Sequence, residues 1–289
     1  MCRLSHARRG ATLAELLIGT LVGLIVLGIA LQLTLLARAS YQRVADDALI
    51  ESRGTQALEL LTMALQHAGW ATDTPAASPE RRWPDAKATL SIQGADSCTP
   101  PETEVLGCNG SGIRNSDAVL VRFAGRSMHA NPQRADDSII DCSGYGVAEP
   151  VQNGGDDQRA GYMLLYLARS TDQEPQLMCR SRRHQAGQTV GGRWTSNSMV
   201  RGVETMQLLY VVRSPGGTSS TTLSARSLTT EQWRQVQAVH IALVVRGEYN
   251  TPRSANKATS TLALFPDLKR VEGADAQDLH FTPTEPQRR

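Results

Sequence analysis

One carboxylate, Glu15, stands at the start of an apolar run that extends from Leu16 to about Leu36 within GATLAELLIGTLVGLIVLGIALQLTLL, residues 10–36. On insertion scales an acid inside hydrocarbon costs a few kcal/mol, about 2.5 to 3.5 for Asp, so such a group marks function and calls for a counter-charge. The other residues with chemical potential are scattered. There is no G-x-x-x-x-G-K-[ST], no G-x-S-x-G and no H-E-x-x-H in the chain, so phosphate cradles, nucleophile elbows and zinc protease helices find no support. Asp136, Asp137 and Asp141, and Asp156 with Asp157, lie in acidic loops that lack the EF-hand spacing and read as surface turns. Arg180, Arg182, Arg183 and His184 make one basic run, read here as a solvated loop. Asn109-Gly110-Ser111 matches a glycosylation acceptor by a pattern three residues long, which chance meets easily. No enzymatic activity and no cofactor are expected.

The elements that must position these groups follow from periodicity. The run after Glu15 is close to the ~20 residues a helix needs to cross a bilayer. Arg3, Arg8 and Arg9 precede it with no acid among them, which keeps the first ten residues cytoplasmic and sends the remainder across. A secretory signal peptide is the competing reading, but the apolar run is longer than a signal core and no A-x-A-like site closes it. Beyond the span Tyr41, Val44, Ala48, Leu58, Leu61, Leu65 and Ala68 recur mostly at three- and four-residue steps, with Arg43, Asp46, Asp47, Glu51 and Arg53 at other positions. A single helix from about Thr12 to His67 is predicted, a rod of roughly 80 to 85 Å. Gly54 weakens it locally, Gly69 caps its end, and Pro75, Pro79 and Pro84 follow. Strands are predicted at Ala118–Phe123, Tyr162–Ala168, Met206–Val212, Val236–Val245 and Thr259–Leu264. Val239, Ile241, Leu243 and Val245 alternate with His240, Ala242 and Val244, as a strand with one better-buried face does. Turns are marked by Asn153-Gly154-Gly155, Gly191-Gly192 and Pro215-Gly216-Gly217. The fold class is α+β, a long N-terminal helix packed on a mainly antiparallel β-sheet head.

GATLAELL resembles the GFTLIELL-type junction of type IV prepilins, with Gly10 at the cleavage position and Glu15 fifth in the mature chain. The resemblance implies that a prepilin peptidase removes the basic leader, that Ala11 becomes the methylated N-terminus, and that Glu15 neutralises the terminal amine of an adjacent subunit. Two departures stand out: Ala11 replaces the usual phenylalanine, and no proline occurs before Pro75, leaving Gly19, Gly23 and Gly28 to supply flexibility or close helix approach. Within the head, ESRGTQALELLTMALQHAGW, SDAVLVRFAG, MVRGVETMQLLYVV and WRQVQAVHIALVVRGEYN resemble, in order, segments of the PilW family of minor pilins. The implied organisation is a leader at 1–10, a transmembrane and filament-core helix at 11–36, its amphipathic continuation at 37–69 and a periplasmic head at 70–289.

Cys2 lies in the leader, which leaves Cys98, Cys108, Cys142 and Cys179. An even count in an extracytoplasmic domain reads as two disulfides, with three connectivities open; we favour Cys98 with Cys108 and Cys142 with Cys179, which close the shorter loops. A zinc site lacks C-x-x-C, and His129 and His184 lack ligand spacing, so no metal is expected. Without Arg3, Arg8 and Arg9, 27 basic side chains face 28 acidic ones, and direct nucleic-acid binding is not expected. The resemblance implies a structural, assembly-priming minor pilin of the inner membrane and then the pilus. Its partners would be the peptidase, other minor pilins, the major pilin, a tip adhesin and membrane lipid. A pseudopilin of a type II secretion system and a membrane-tethered periplasmic enzyme or binding protein stand as alternatives.

Overall fold

The computed structural model describes residues 12–70, 90–99, 106–108, 110–149, 161–185, 188–214, 217, 219–248, 261–268 and 271–284. Its first element is α1, Leu13–Gln66, one unbroken helix of 54 residues. Both ends are written locally. Thr12 is the N-cap: its hydroxyl accepts from the Glu15 amide at 3.3 Å, while its own N–H donates to Glu15 Oε2 at 2.9 Å. This reciprocal box satisfies two of the backbone donors that a helix start leaves unpaired. At the other end Gly69 takes the left-handed φ of +71°, and its N–H donates to Arg122 O at 3.0 Å. A side chain there would collide with Ser91, so glycine is required twice over.

The helix has two unlike halves. Every large apolar residue from Leu13 to Leu36 is exposed, whereas Ala57, Leu61 and Ala64 are fully buried against the head. The spacing of four and then three places those three on one stripe, the arrangement that lets a helix close one side of a core. Losing a side chain such as Leu61 from that stripe costs about 2 to 5 kcal/mol.

Among the described residues the head contains two larger antiparallel sheets and two two-stranded pairs. The larger contains β1 (Ile92–Ala95), β2 (Ala118–Phe123), β5 (Gly161–Arg169), β6 (Pro175–Gln185) and β7 (Gln188–Arg201), in the order β1-β2-β5-β6-β7. A short hairpin, β3 (Ser127–Met128) with β4 (Asn131–Ala135), lies outside it. The smaller sheet contains β8 (Val203–Arg213), β9 (Ser220–Leu223) and β10 (Val236–Val245), with β8 in the middle. A two-stranded pair, β11 (Leu262–Ala263) and β12 (His280–Phe281), completes the described strands. Gly202, at φ +77°, carries the chain from β7 in one sheet to β8 in the other. The main core gathers Val121, Met163, Leu165 and Leu177 of the large sheet, Met206, Leu208 and Tyr210 of the small one, and the buried stripe of α1. A second cluster, with Leu120, Tyr162 and Leu164, fills the opposite face of the large sheet beneath Cys98 and Leu106. β2 is thus buried on both faces, which explains the apolar run Ala118–Val121 and Phe123, interrupted by a buried Arg122 whose Nη1 donates to Leu90 O at 2.9 Å.

These findings bear out the α+β layout and correct parts of its detail. β2 and β10 carry the expected bounds, and β5 and β8 run one to three residues longer at their ends. Only Leu262–Ala263 of the expected strand at 259–264 is paired, residues 259 and 260 lying outside the described residues. Gly191-Gly192 marks no turn: both lie inside β7. On β10 the expected face does meet the core, with Val245 buried in it and the half-buried Val239, Ile241 and Leu243 packed against it, while Ala242 and Val244 on the other face are buried as well. Pro75, Pro79, Pro84, Asn153-Gly154-Gly155 and Pro215-Gly216 fall outside the described residues.

Candidate functional site: the helix and its junction with the head

Glu15 sits in the first turn of α1, and Thr12 locks its side chain toward the helix start. A carboxylate in this place complements the partial positive charge of the helix N-terminus. Gly10 and Ala11, the expected processing residues, lie outside the described residues, as do Cys2, Arg3, Arg8 and Arg9.

The junction between rod and head rests on two polar residues of α1. Asp46 is fully buried, and its Oδ1 accepts the Glu248 N–H at 2.9 Å. Gly247 makes this approach possible, because a Cβ there would lie 2.7 Å from Asp46 Cγ. Two turns further on, Arg53 Nη1 donates to Arg246 O at 3.1 Å and pairs with Glu174 at 3.6 Å. Glu174 in turn accepts from Arg201 Nε at 2.6 Å, and Arg201 also pairs with Asp172. The fully buried Glu204 lies between Arg114 at 3.4 Å and Arg246 at 4.0 Å. Breaking such a buried pair is far more costly than never having made it. Asp46 and Arg53 were expected on the polar side of the helix; the head's own backbone carbonyl and N–H groups draw them inward instead. Their spacing of seven, on the same side as Ala57 and Ala64, was the available signal.

The cysteines form two bridges, Cys98–Cys108 with Cα atoms 5.1 Å apart and Cys142–Cys179 at 6.3 Å. The first closes the loop over the second apolar cluster; the second ties the 141–145 turn to β6. The basic run is a correction. Arg180, Arg182, Arg183 and His184 belong to β6, not to a solvated loop, and Arg180 and Arg182 are buried. Arg182 is held over the Tyr162 ring at 4.8 Å and the Trp194 ring at 5.2 Å, and Arg180 over Tyr166 at 5.1 Å. Stacked guanidiniums bury their planar faces against aromatic rings, which is how a strand carries them inside. The His184 side chain is also enclosed, with Nε2 2.9 Å from Asp141 Oδ2 and Tyr145 stacked on its ring. Arg183 alone of the four is exposed.

Asp136 and Asp141 have protein partners. Asp136 accepts from the Ser138 hydroxyl at 2.6 Å, which holds its carboxyl below the usual range. Asp141 receives Ser143 and His184. Among the described residues no cluster of three or more His, Cys, Asp or Glu forms a metal-holding group. Asp156, Asp157 and Asn109 lie outside the described residues, and His129 is exposed on the β3–β4 hairpin. A buried acid that the sequence gave no reason to single out is Asp117, whose oxygens accept from Ser97 N at 3.0 Å and Leu208 N at 2.8 Å. Burial, and then the charge of Asp96, push its pKa well above the ordinary carboxylate range.

A capped rod that is bare and apolar at one end and clad by an antiparallel head at the other defines a protein of pilin-like layout, with, among the described residues, one helix long and apolar enough to cross a membrane. Residues 164–273, from β5 to the segment after β11, match the PilW family, Type IV Pilus-assembly protein W. The match supports a PilW-family type IV pilus protein, and it falls on the head, independent of the N-terminal helix. No curated protein and no solved structure matches the chain.

Proposed function

We propose that the protein is a minor pilin, a structural and assembly-priming subunit of a type IV pilus, and so contributes to twitching motility, adhesion or DNA uptake by the whole machine. The observation that carries this reading is the exposed apolar half of α1, Leu13 to Leu36, rigidly continuous with a helix segment that the head buries. About 24 residues of bare apolar helix need lipid or other apolar helices around them. A subunit that waits in the inner membrane with its head in the periplasm, and then enters a filament core, supplies both in turn.

In this reading prepilin peptidase cuts after Gly10, and the new amine of Ala11 is the counter-charge for Glu15 of a neighbouring subunit. The capping box supports that role by fixing Glu15 at the helix start with Oε2 engaged by Thr12. Pairing of the two charges in a low dielectric sets the axial register of one helix on the next. The head presents its surfaces to other minor pilins, the major pilin and a tip adhesin. Mass spectrometry of the protein from pili or membranes tests the scheme: an N-methylated Ala11 is the expected N-terminus, and a retained leader would refute it. Glu15→Ala is expected to leave the protein in the membrane and abolish its incorporation into filaments. Unchanged incorporation would remove the pairing role.

A further inference from the structure

Between Leu36, the last residue of the apolar half, and Asp46, the first residue the head buries, α1 continues for about 15 Å. Along this neck Arg38, Tyr41, Arg43 and Val44 are all exposed, Tyr41 at 72%. Neither Arg38 nor Arg43 has a hydrogen bond or ion pair among the described residues. Two unpaired guanidiniums and a bare phenol ring are thus set just past a long apolar segment.

Their height on the rod identifies what faces them. From Leu16 to Leu36 the helix rises about 30 Å, the thickness of a bilayer's hydrocarbon core. With Glu15 at one boundary and Leu36 at the other, Arg38 stands about 3 Å beyond the hydrocarbon, Tyr41 about 7 Å and Arg43 about 10 Å. The headgroup layer on each side is about 5 to 8 Å deep. Arg38 and Tyr41 therefore lie within it, and the long Arg43 side chain reaches back to it. Tyrosine is suited to that layer because its ring is apolar and its tip polar. The head begins beyond the layer.

We propose that Arg38, Tyr41 and Arg43 form a collar that docks on the phosphate groups of an anionic phospholipid surface, sets the depth of α1 and holds the head clear of the bilayer. This rests on the membrane-inserted state in the function proposed above. Each guanidinium near an anionic surface contributes about fivefold in binding, so the pair contributes about 30-fold at low salt.

The test uses the full chain in nanodiscs of phosphatidylcholine alone or of phosphatidylcholine with phosphatidylglycerol, with exchange between the two populations measured. The wild type is expected to prefer the anionic discs, R38Q/R43Q to lose about 30-fold of that preference, and R38K/R43K to keep most of it. Added salt should shrink the wild-type preference. Alkaline carbonate extraction reports insertion separately. A wild type that inserts and shows no preference, or one that R38Q/R43Q leaves unchanged, overturns the collar while the anchor stands. A wild type that fails to insert overturns both. An R38Q/R43Q variant that keeps its lipid preference but loses self-association would assign the two arginines to a second copy of the chain, with its exposed Asp47 and Glu51 as their partners.

Discussion

Gly247→Ala is a change of one methyl group, yet it aims that methyl at the buried Asp46 carboxylate. The new Cβ would lie 2.7 Å from Cγ and Oδ1 and 3.0 Å from Oδ2. Gly247 carries no positive φ, so the backbone accepts alanine and the objection is steric alone. Forcing the helix and the 246–248 segment apart is an overpacking cost of about 1 to 3 kcal/mol. Asp46→Ala should cost a similar amount by removing the acceptor of the Glu248 N–H. For a chain of this size each kcal/mol lowers Tm by about 2 to 4 °C. The decisive measurement is the double-mutant cycle, read from thermal unfolding of the full chain in detergent. With Asp46→Ala in place the added methyl occupies the vacated space, so Gly247→Ala should cost less than about 0.5 kcal/mol there. The expected coupling is therefore about 0.5 to 3 kcal/mol. Additive losses would show that the approach of Asp46 to Gly247 is not what joins the rod to the head.

Gly54 lies mid-helix with nothing within 4 Å of a Cβ position, so Gly54→Ala should stabilise the protein by about 0.5 to 1 kcal/mol, seen as a higher Tm. Asp117 has a raised folded pKa, so its acid form is favoured by folding. The stability it contributes is fully present below the unfolded value of about 3.9 and is lost as pH rises through the folded value. Unfolding free energies across pH should show the wild type losing ground to Asp117→Asn as pH rises from about 4. Of the two bridges, Cys142–Cys179 spans 37 residues and Cys98–Cys108 spans 10. Replacing each pair with alanine should cost about 4 and about 3 kcal/mol respectively by chain entropy, in a denaturant titration.

Local signals were readable wherever partner residues are close in sequence. The apolar run and the three- and four-residue periodicity placed the helix at about Thr12 to His67, where the structure has Leu13–Gln66, and the apolar alternation of 236–245 marked a strand that the structure keeps with those bounds. β6 was not readable, because its inward residues include Arg180 and Arg182, which are held over the Tyr166 and Tyr162 rings of β5 and, for Arg182, the Trp194 ring of β7. The same holds for β7, where Thr195, Ser196, Asn197 and Ser198 pair with β6 through the backbone and offer no apolar rhythm. Asp46 reads as a surface acid until Glu248, 202 residues away, supplies its donor. What a polar residue does inside this protein is decided by tertiary partners, and a single sequence does not show them.

The stretch of α1 from Asp46 to Ala64 meets the head along about 27 Å of helix. A pull on the bare end is delivered along that whole track. Its polar clasps at Asp46 and Arg53 and its apolar stripe at Ala57, Leu61 and Ala64 are loaded side by side in shear. They cannot be peeled off one at a time, and so the head stays fastened to its stalk under axial tension until the whole seam gives way.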